Sequence, residues 1–243
     1  MADYGGCIYS QSANIPGSNN GTERFPGIRR GIDNAELALG PIVVELAQLF
    51  QIMPHLGFYD DSKSCSGNAA ADRRSLFPVV PNLPFKVEGT IVLGTKLFNK
   101  LSQYKNQTAA IAAVCAHEFG HLLQFKYVDQ ELRQIRDNEG SVVRIELFAD
   151  FICGYHAGIR KLRQDDYPAV IQALNQFRAG DHIYGGEHHG TPEERGRSVQ
   201  DGYRVGSDGV IPPEKIARIA LEYVKGLTLE AVHSDPGCEQ NNR

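Results

Sequence analysis

Ala109-Ala110-Ile111-Ala112-Ala113-Val114-Cys115-Ala116-His117-Glu118-Phe119-Gly120-His121 is the stretch from which the rest of the chain is read. Up to Ala116 it is apolar on every side, so the helix it forms belongs inside a core. Two histidines and a glutamate follow directly, and such groups are costly to bury unless a metal or hydrogen bonds satisfy them. His117 and His121 are four residues apart. That spacing stacks them on one helical face, where two imidazoles can bind one zinc ion. Glu118 is offset by one position and reaches the water that such an ion activates, where hydrolysis needs a general base.

Catalytic zinc sites usually add one more protein ligand and leave a position open. The extended motif of the metzincins would need a glycine at 124 and a histidine at 127, but the chain has Gln124 and Tyr127. Further on, Glu146-Leu147-Phe148-Ala149-Asp150 puts two carboxylates one turn apart on one face of a second, largely apolar helix. Two carboxylates facing a core call for a cation.

Together these segments resemble the gluzincin peptidases, in which HExxH on one helix is joined by a glutamate in an ExxxD pattern on a later helix. The resemblance implies a mainly helical zincin-like domain, Zn2+ as cofactor, Glu146 as third metal ligand and peptide-bond hydrolysis with Glu118 as base. It also implies that Asp150 accepts the free ring N–H of His117 and fixes its tautomer. His188-His189-Gly190-Thr191-Pro192-Glu193-Glu194-Arg195 looks like the His-x5-Arg feature that CaaX-prenyl-type and soluble bacterial neutral zinc metallopeptidases carry after the glutamate helix. By that likeness His189 stabilises the oxyanion, with His188 and Tyr184 as competitors, and Arg195 positions the loop or binds substrate. Thr191 and Pro192 read independently as the N-cap and first position of a helix. Thr90-Ile91-Val92-Leu93-Gly94, followed by Thr95-Lys96-Leu97-Phe98, looks like the strand and short helix before the motif helix in these families. Such a strand can offer its edge to an extended substrate, and a buried strand is the other reading. A non-catalytic zinc-binding module and a hydrolase of another amide or ester bond stay open as alternatives.

The remainder of the chain sets bounds. With 243 residues, 42% hydrophobic and 22% charged, it can bury a core without staples. The net charge of −4 comes from acidic and basic residues mixed along the chain, which argues against a nucleic-acid partner. No window reaches the roughly 18 apolar residues of a membrane span, and no secretory pattern opens the chain. The expectation is a cytoplasmic protein, off the membrane, acting on peptides or proteins. Cys7, Cys65, Cys115, Cys153 and Cys238 form no close pair, which fits a reducing compartment. Cys7 and Cys65 lie in loop-like stretches and could pair or react, whereas Cys115 and Cys153 read as small buried hydrophobes.

Residues 1–30, rich in Gly, Ser, Asn and Pro, read as an irregular arm, and 31–243 as one domain. A helix is expected from Asp33 to about Ile52, kinked or restarted at Gly40-Pro41. The proline-rich stretch 54–86 shows no period, the strand at 90–94 follows, and helical patterns cover about 107–126, 141–163, 166–179, 192–204 and 213–226. The expected fold is α+β, mainly helical, with a small sheet packed on the helix of His117 and His121.

Overall fold

The computed structural model describes residues 35–62, 68–77, 86–162 and 189–229. The N-terminal arm, the helix expected at 166–179, and Cys7, Cys65 and Cys238 lie outside them. The elements are α1 Ala35–Phe50, β1 His55–Tyr59, β2 Ala69–Asp72, β3 Thr90–Gly94, α2 Thr95–Leu101, α3 Gln107–Tyr127, α4 Asp129–Glu139, α5 Val143–Leu162, α6 Pro192–Ser207 and α7 Pro213–Lys225. This is the expected mainly helical α+β fold with one small sheet.

β3 is the middle strand. β1 pairs parallel to it, with Gly57 opposite Val92, and β2 pairs antiparallel, with Ala70 opposite Val92. Both of its edges are therefore occupied, so β3 is the buried strand and does not offer an edge to substrate. On one face Ala69, Ala71, Ile91 and Leu93 join the main core with the apolar residues of α3. On the other, Ala70 and Val92 meet Tyr59 and Leu76. Asp61 ties the sheet to α2: its buried carboxylate accepts the backbone N–H of Lys96 at 2.6 Å, of Leu97 at 3.2 Å and of Asn68 at 3.2 Å.

α3 runs through the centre, with every residue from Ala110 to Gln124 buried. α1 lays Leu39, Ile42, Leu46, Ala47 and Phe50 into the same core and continues past Pro41 without the expected restart. Burial of that face outweighs the interior proline, which costs about 3 kcal/mol in a helix that nothing holds. α4 was not foreseen: it is charged along its length and buries Leu132 alone among its residues. No helix among the described residues is long and apolar enough to cross a membrane.

The closest helix contact is between α5 and α6, and glycines make it. A Cβ added to Gly154 of α5 would overlap the carbonyl oxygen of Val199, and one added to Gly158 that of Tyr203. From the other side, a Cβ on Gly202 of α6 would overlap the carbonyl oxygen of Phe151, and on Gly206 that of Tyr155. Backbone thus meets backbone, leaving no room for a methyl group. Gly202→Ala should therefore cost about 2–3 kcal/mol in urea unfolding. Gly226→Ala, where the nearest atoms lie at an ordinary 3.6 Å, should stay within about 0.5 kcal/mol. Equal effects at the two positions would show that the α5–α6 contact is looser than described.

Candidate metal centre

α3 and α5 cross where Gly120 meets Ala149, so closely that a Cβ on Gly120 would lie 2.8 Å from the Ala149 Cα. This crossing sets His117 and His121 opposite Glu146 and Asp150. His117 Nε2 lies 3.4 Å from Glu146 Oε2, and His121 Nε2 lies 3.6 Å from Glu146 Oε1. One ligand atom from each of the three residues falls within 4.8 Å of the others, and all three side chains are buried. Ligands held about 2.0–2.1 Å from a tetrahedral zinc-sized ion stand about 3.4 Å apart, so the spacing suits a metal. The fit is also chemical. Glu146 is wholly buried, yet neither of its carboxylate oxygens has a hydrogen-bond partner among the described residues. The surrounding ring nitrogens are close enough to hold its charge but not aligned to satisfy its lone pairs, which a cation would do.

A second layer orients these ligands. His117 Nδ1 donates to Asp150 Oδ1 at 2.9 Å, leaving Nε2 turned toward Glu146. His121 Nδ1 lies 3.3 Å from Gln124 Oε1. Arg195, from the first turn of α6, grips Asp150 with two bonds, Nε to Oδ2 at 2.7 Å and Nη2 to Oδ1 at 2.9 Å, and is itself 4% exposed. The Arg195 guanidinium thus faces Asp150. α6 begins where expected. Thr191 Oγ1 accepts from Glu194 N–H, the Glu194 carboxylate accepts from Thr191 N–H, and Pro192 follows the cap. Gly190 just before it has φ 101°, a conformation glycine adopts freely, and the turn brings His189 Nδ1 to 3.1 Å from Glu146 Oε2.

Of the oxyanion candidates, His188 and Tyr184 lie outside the described residues. His156, another buried histidine of α5, faces Glu45 of α1 at 3.2 Å and stands apart from the group. The roles of Gln124 and of the Gly120 crossing were not anticipated. The position of Gln124, three residues after His121, is the only sequence signal for it.

Burial opposes charge throughout, and local partners decide the outcome. It raises the Glu146 carboxyl, but the facing histidines His189, His121 and His117 hold it well below the usual carboxylate range. Burial acts likewise on Asp150, and Arg195 with His117 overcomes it and keeps the group ionised. His117 is pulled down by burial yet held up at about 9 by the carboxylates of Asp150 and Glu146. His121, for which burial outweighs the attraction of Glu146, falls to about 4. Cys115 is a free thiol pushed up to about 12 by burial, and Cys153, raised further, donates to the Ala113 carbonyl at 3.3 Å. Neither is a nucleophile at neutral pH.

Compared with known protein families, with curated proteins and with solved structures, the chain finds no match. The case for its chemistry rests on this geometry.

A pH dependence follows for the metal-free chain. The folded-state pKa of His117 is raised from 6.5 to about 9, so its contribution is complete below 6.5 and is lost as pH rises through about 9. His121 is depressed and acts in the acid range below 6.5, and Cys115 adds its own loss only above 9.0. In a chelator, the unfolding temperature should therefore fall from pH 6.5 to 9. With a divalent metal, which binds neutral imidazole, the fall should disappear. A metal-free chain that grows more stable over this range would contradict the assigned environment of His117.

Proposed function

We propose that the chain is a zinc-dependent peptidase in which His117, His121 and Glu146 hold the ion and Glu118 is the general base. Two imidazoles and a carboxylate are a donor set that suits zinc and leaves a coordination position for chemistry. The observation that carries the reading is Glu118 itself. It is a fully buried acid next to the metal group, and a purely structural site gains nothing from such a residue.

When bound, the ion supplies Lewis acidity, making water acidic enough to lose a proton near neutral pH and polarising a carbonyl. Glu118 accepts the proton of the attacking water and delivers it to the leaving amine. Asp150 keeps the Nδ1 proton on His117, so that Nε2 is the ligand atom, and Arg195 holds Asp150 in the ionised form this requires. His189, whose Nδ1 lies 3.1 Å from Glu146 Oε2, is on this reading the donor to the developing oxyanion.

Among the described residues β2 pairs with β3 alone, and all four of its residues are buried. β2 also lies against α3 just beyond His121: a Cβ built on Gly89 would sit 2.7 Å from both the Asp72 carbonyl oxygen and Leu122 Cδ2.

Elemental analysis of the purified protein should find about one zinc per chain, with little left in Glu146→Ala. Glu118→Gln should keep the zinc and lose at least about 100-fold in peptide cleavage. A Glu118→Gln variant that cleaves as fast as its parent would remove Glu118 from the mechanism.

A further inference from the structure

We infer that the cavity at the C-terminal end of α3 is a substrate subsite for an acidic side chain, an inference that rests on the peptidase reading above. The cavity, of about 290 Å³, lies between Leu122 and Phe125 of α3, Arg73 at the exit of β2, and Lys86 and Glu88 ahead of β3, with Lys126 at its side. Small-ligand pockets run from about 300 to 1,000 Å³, so this one has room for one or two side chains and not for a cofactor.

The helix α3 ties it to the metal centre. At about 100° per residue, Leu122 and Phe125 point within about 40° of Glu118, and they follow it by about 6 and 10 Å along the helix axis. The cavity is thus floored by the same stripe of α3 that carries the base. Arg73 directly follows the last residue of β2. At about 3.3 Å per residue of an extended chain, the roughly 6–10 Å along α3 put the occupant of the cavity about two to four residues from the reacting bond.

The charge of the cavity selects its guest. Among the described lining residues, Arg73, Lys86 and Lys126 outnumber the anion Glu88, with Asp129 beside Arg73, in a chain whose net charge is −4, so the cationic character is local and not a reflection of composition. Lys126 Nζ meets Glu88 at 3.1 Å, and Arg73 meets Asp129 at 3.0 Å, with the Arg73 side chain 34% exposed. Partly exposed pairs of this kind are weak enough to be shared with an incoming carboxylate. Lys86 is exposed and has no ion pair among the described residues. The Arg73 guanidinium lies 5.0 Å above the Phe125 ring, which holds it at the mouth. A glutamate entering here lays its methylenes on Leu122 and Phe125 and presents its carboxylate to Lys86 and Arg73. A lysine meets like charge.

The test uses zinc-loaded Glu118→Gln protein, which holds peptide without turnover, and the same protein carrying Lys86→Glu. Short fluorescein-labelled alanine-rich peptides carry one glutamate, glutamine or lysine stepped through successive positions, and binding is read by anisotropy. At one position the glutamate peptide should bind about tenfold tighter than the glutamine peptide, less so in high salt, and Lys86→Glu should abolish this or reverse it toward lysine. No binding, equal binding of glutamate and glutamine at every position, or a preference untouched by Lys86→Glu overturns the subsite. The parent is then given the same peptides. Cleavage without a glutamate preference overturns the subsite alone. A preference that Lys86→Glu reverses, with no cleavage by the parent, removes the peptidase reading and leaves the cavity as an acidic-peptide site.

Discussion

Glu146 and Asp150 sit one turn apart on α5 with no solvent exposure, and an ionised carboxylate taken out of water must be compensated. Much of the surrounding structure answers that requirement. Arg195 and His117 balance Asp150, and three imidazoles, on His117, His121 and His189, ring Glu146. These groups come from α3, from the turn ahead of α6 and from α6 itself, so neutralising two side chains of one helix fixes the placement of two others. The dependence runs both ways. Removing Arg195 or His117 alone would leave a buried charge short of its partner, which typically costs about 3–5 kcal/mol.

Charge compensation at hydrogen-bond distance requires the helix backbones to come unusually near, and side-chain bulk would keep them apart. Gly120 against Ala149 lets α3 reach α5, and the four glycines shared by α5 and α6 let those two pack backbone to backbone. Each glycine costs about 1 kcal/mol of helix propensity relative to alanine. Dense packing, together with Cα–H contacts to facing carbonyls, offsets that cost. The gain for the site is rigidity, because a ligand set built on helices that cannot slide holds its geometry better than one built on loops.

This explains which parts could be read from the sequence. His117, His121, Glu146 and Asp150 were legible because each is polar in an apolar run and recurs at helical spacing. α3, α5, α6 and α7 were legible because long periodic segments and the Thr191-Pro192 cap mark them. β1 and β2 were not. β2 is Ala69-Ala70-Ala71-Asp72, made of residues with little intrinsic strand preference, and pairing with β3 makes it a strand. With both partner strands invisible, β3 could be taken for an edge. α4 lacked an apolar stripe to announce it. The paired glycines of α5 and α6 are visible as letters, but their meaning depends on which helices meet. Arg195 had two roles open to it until the fold set it against Asp150.

The charge count of the pocket links this architecture to the proposed chemistry. Without metal, ionised Glu146 and Asp150 are matched by Arg195 and by a protonated His117, whose pKa of about 9 keeps its proton at neutral pH. Bound metal would be held by neutral imidazole, in place of the His117 proton, and His121, depressed to about 4, adds no charge of its own near neutral pH. In a fully buried site an added positive charge would favour an anionic neighbour, and Glu118, next to His117 in the chain, is a buried acid. A charge that makes water more acidic would also favour the carboxylate form that has to take its proton. On the proposed reading, metal and base are linked through this charge balance, because Glu146 and Asp150 outnumber Arg195, the one fixed cation among the described residues that faces them.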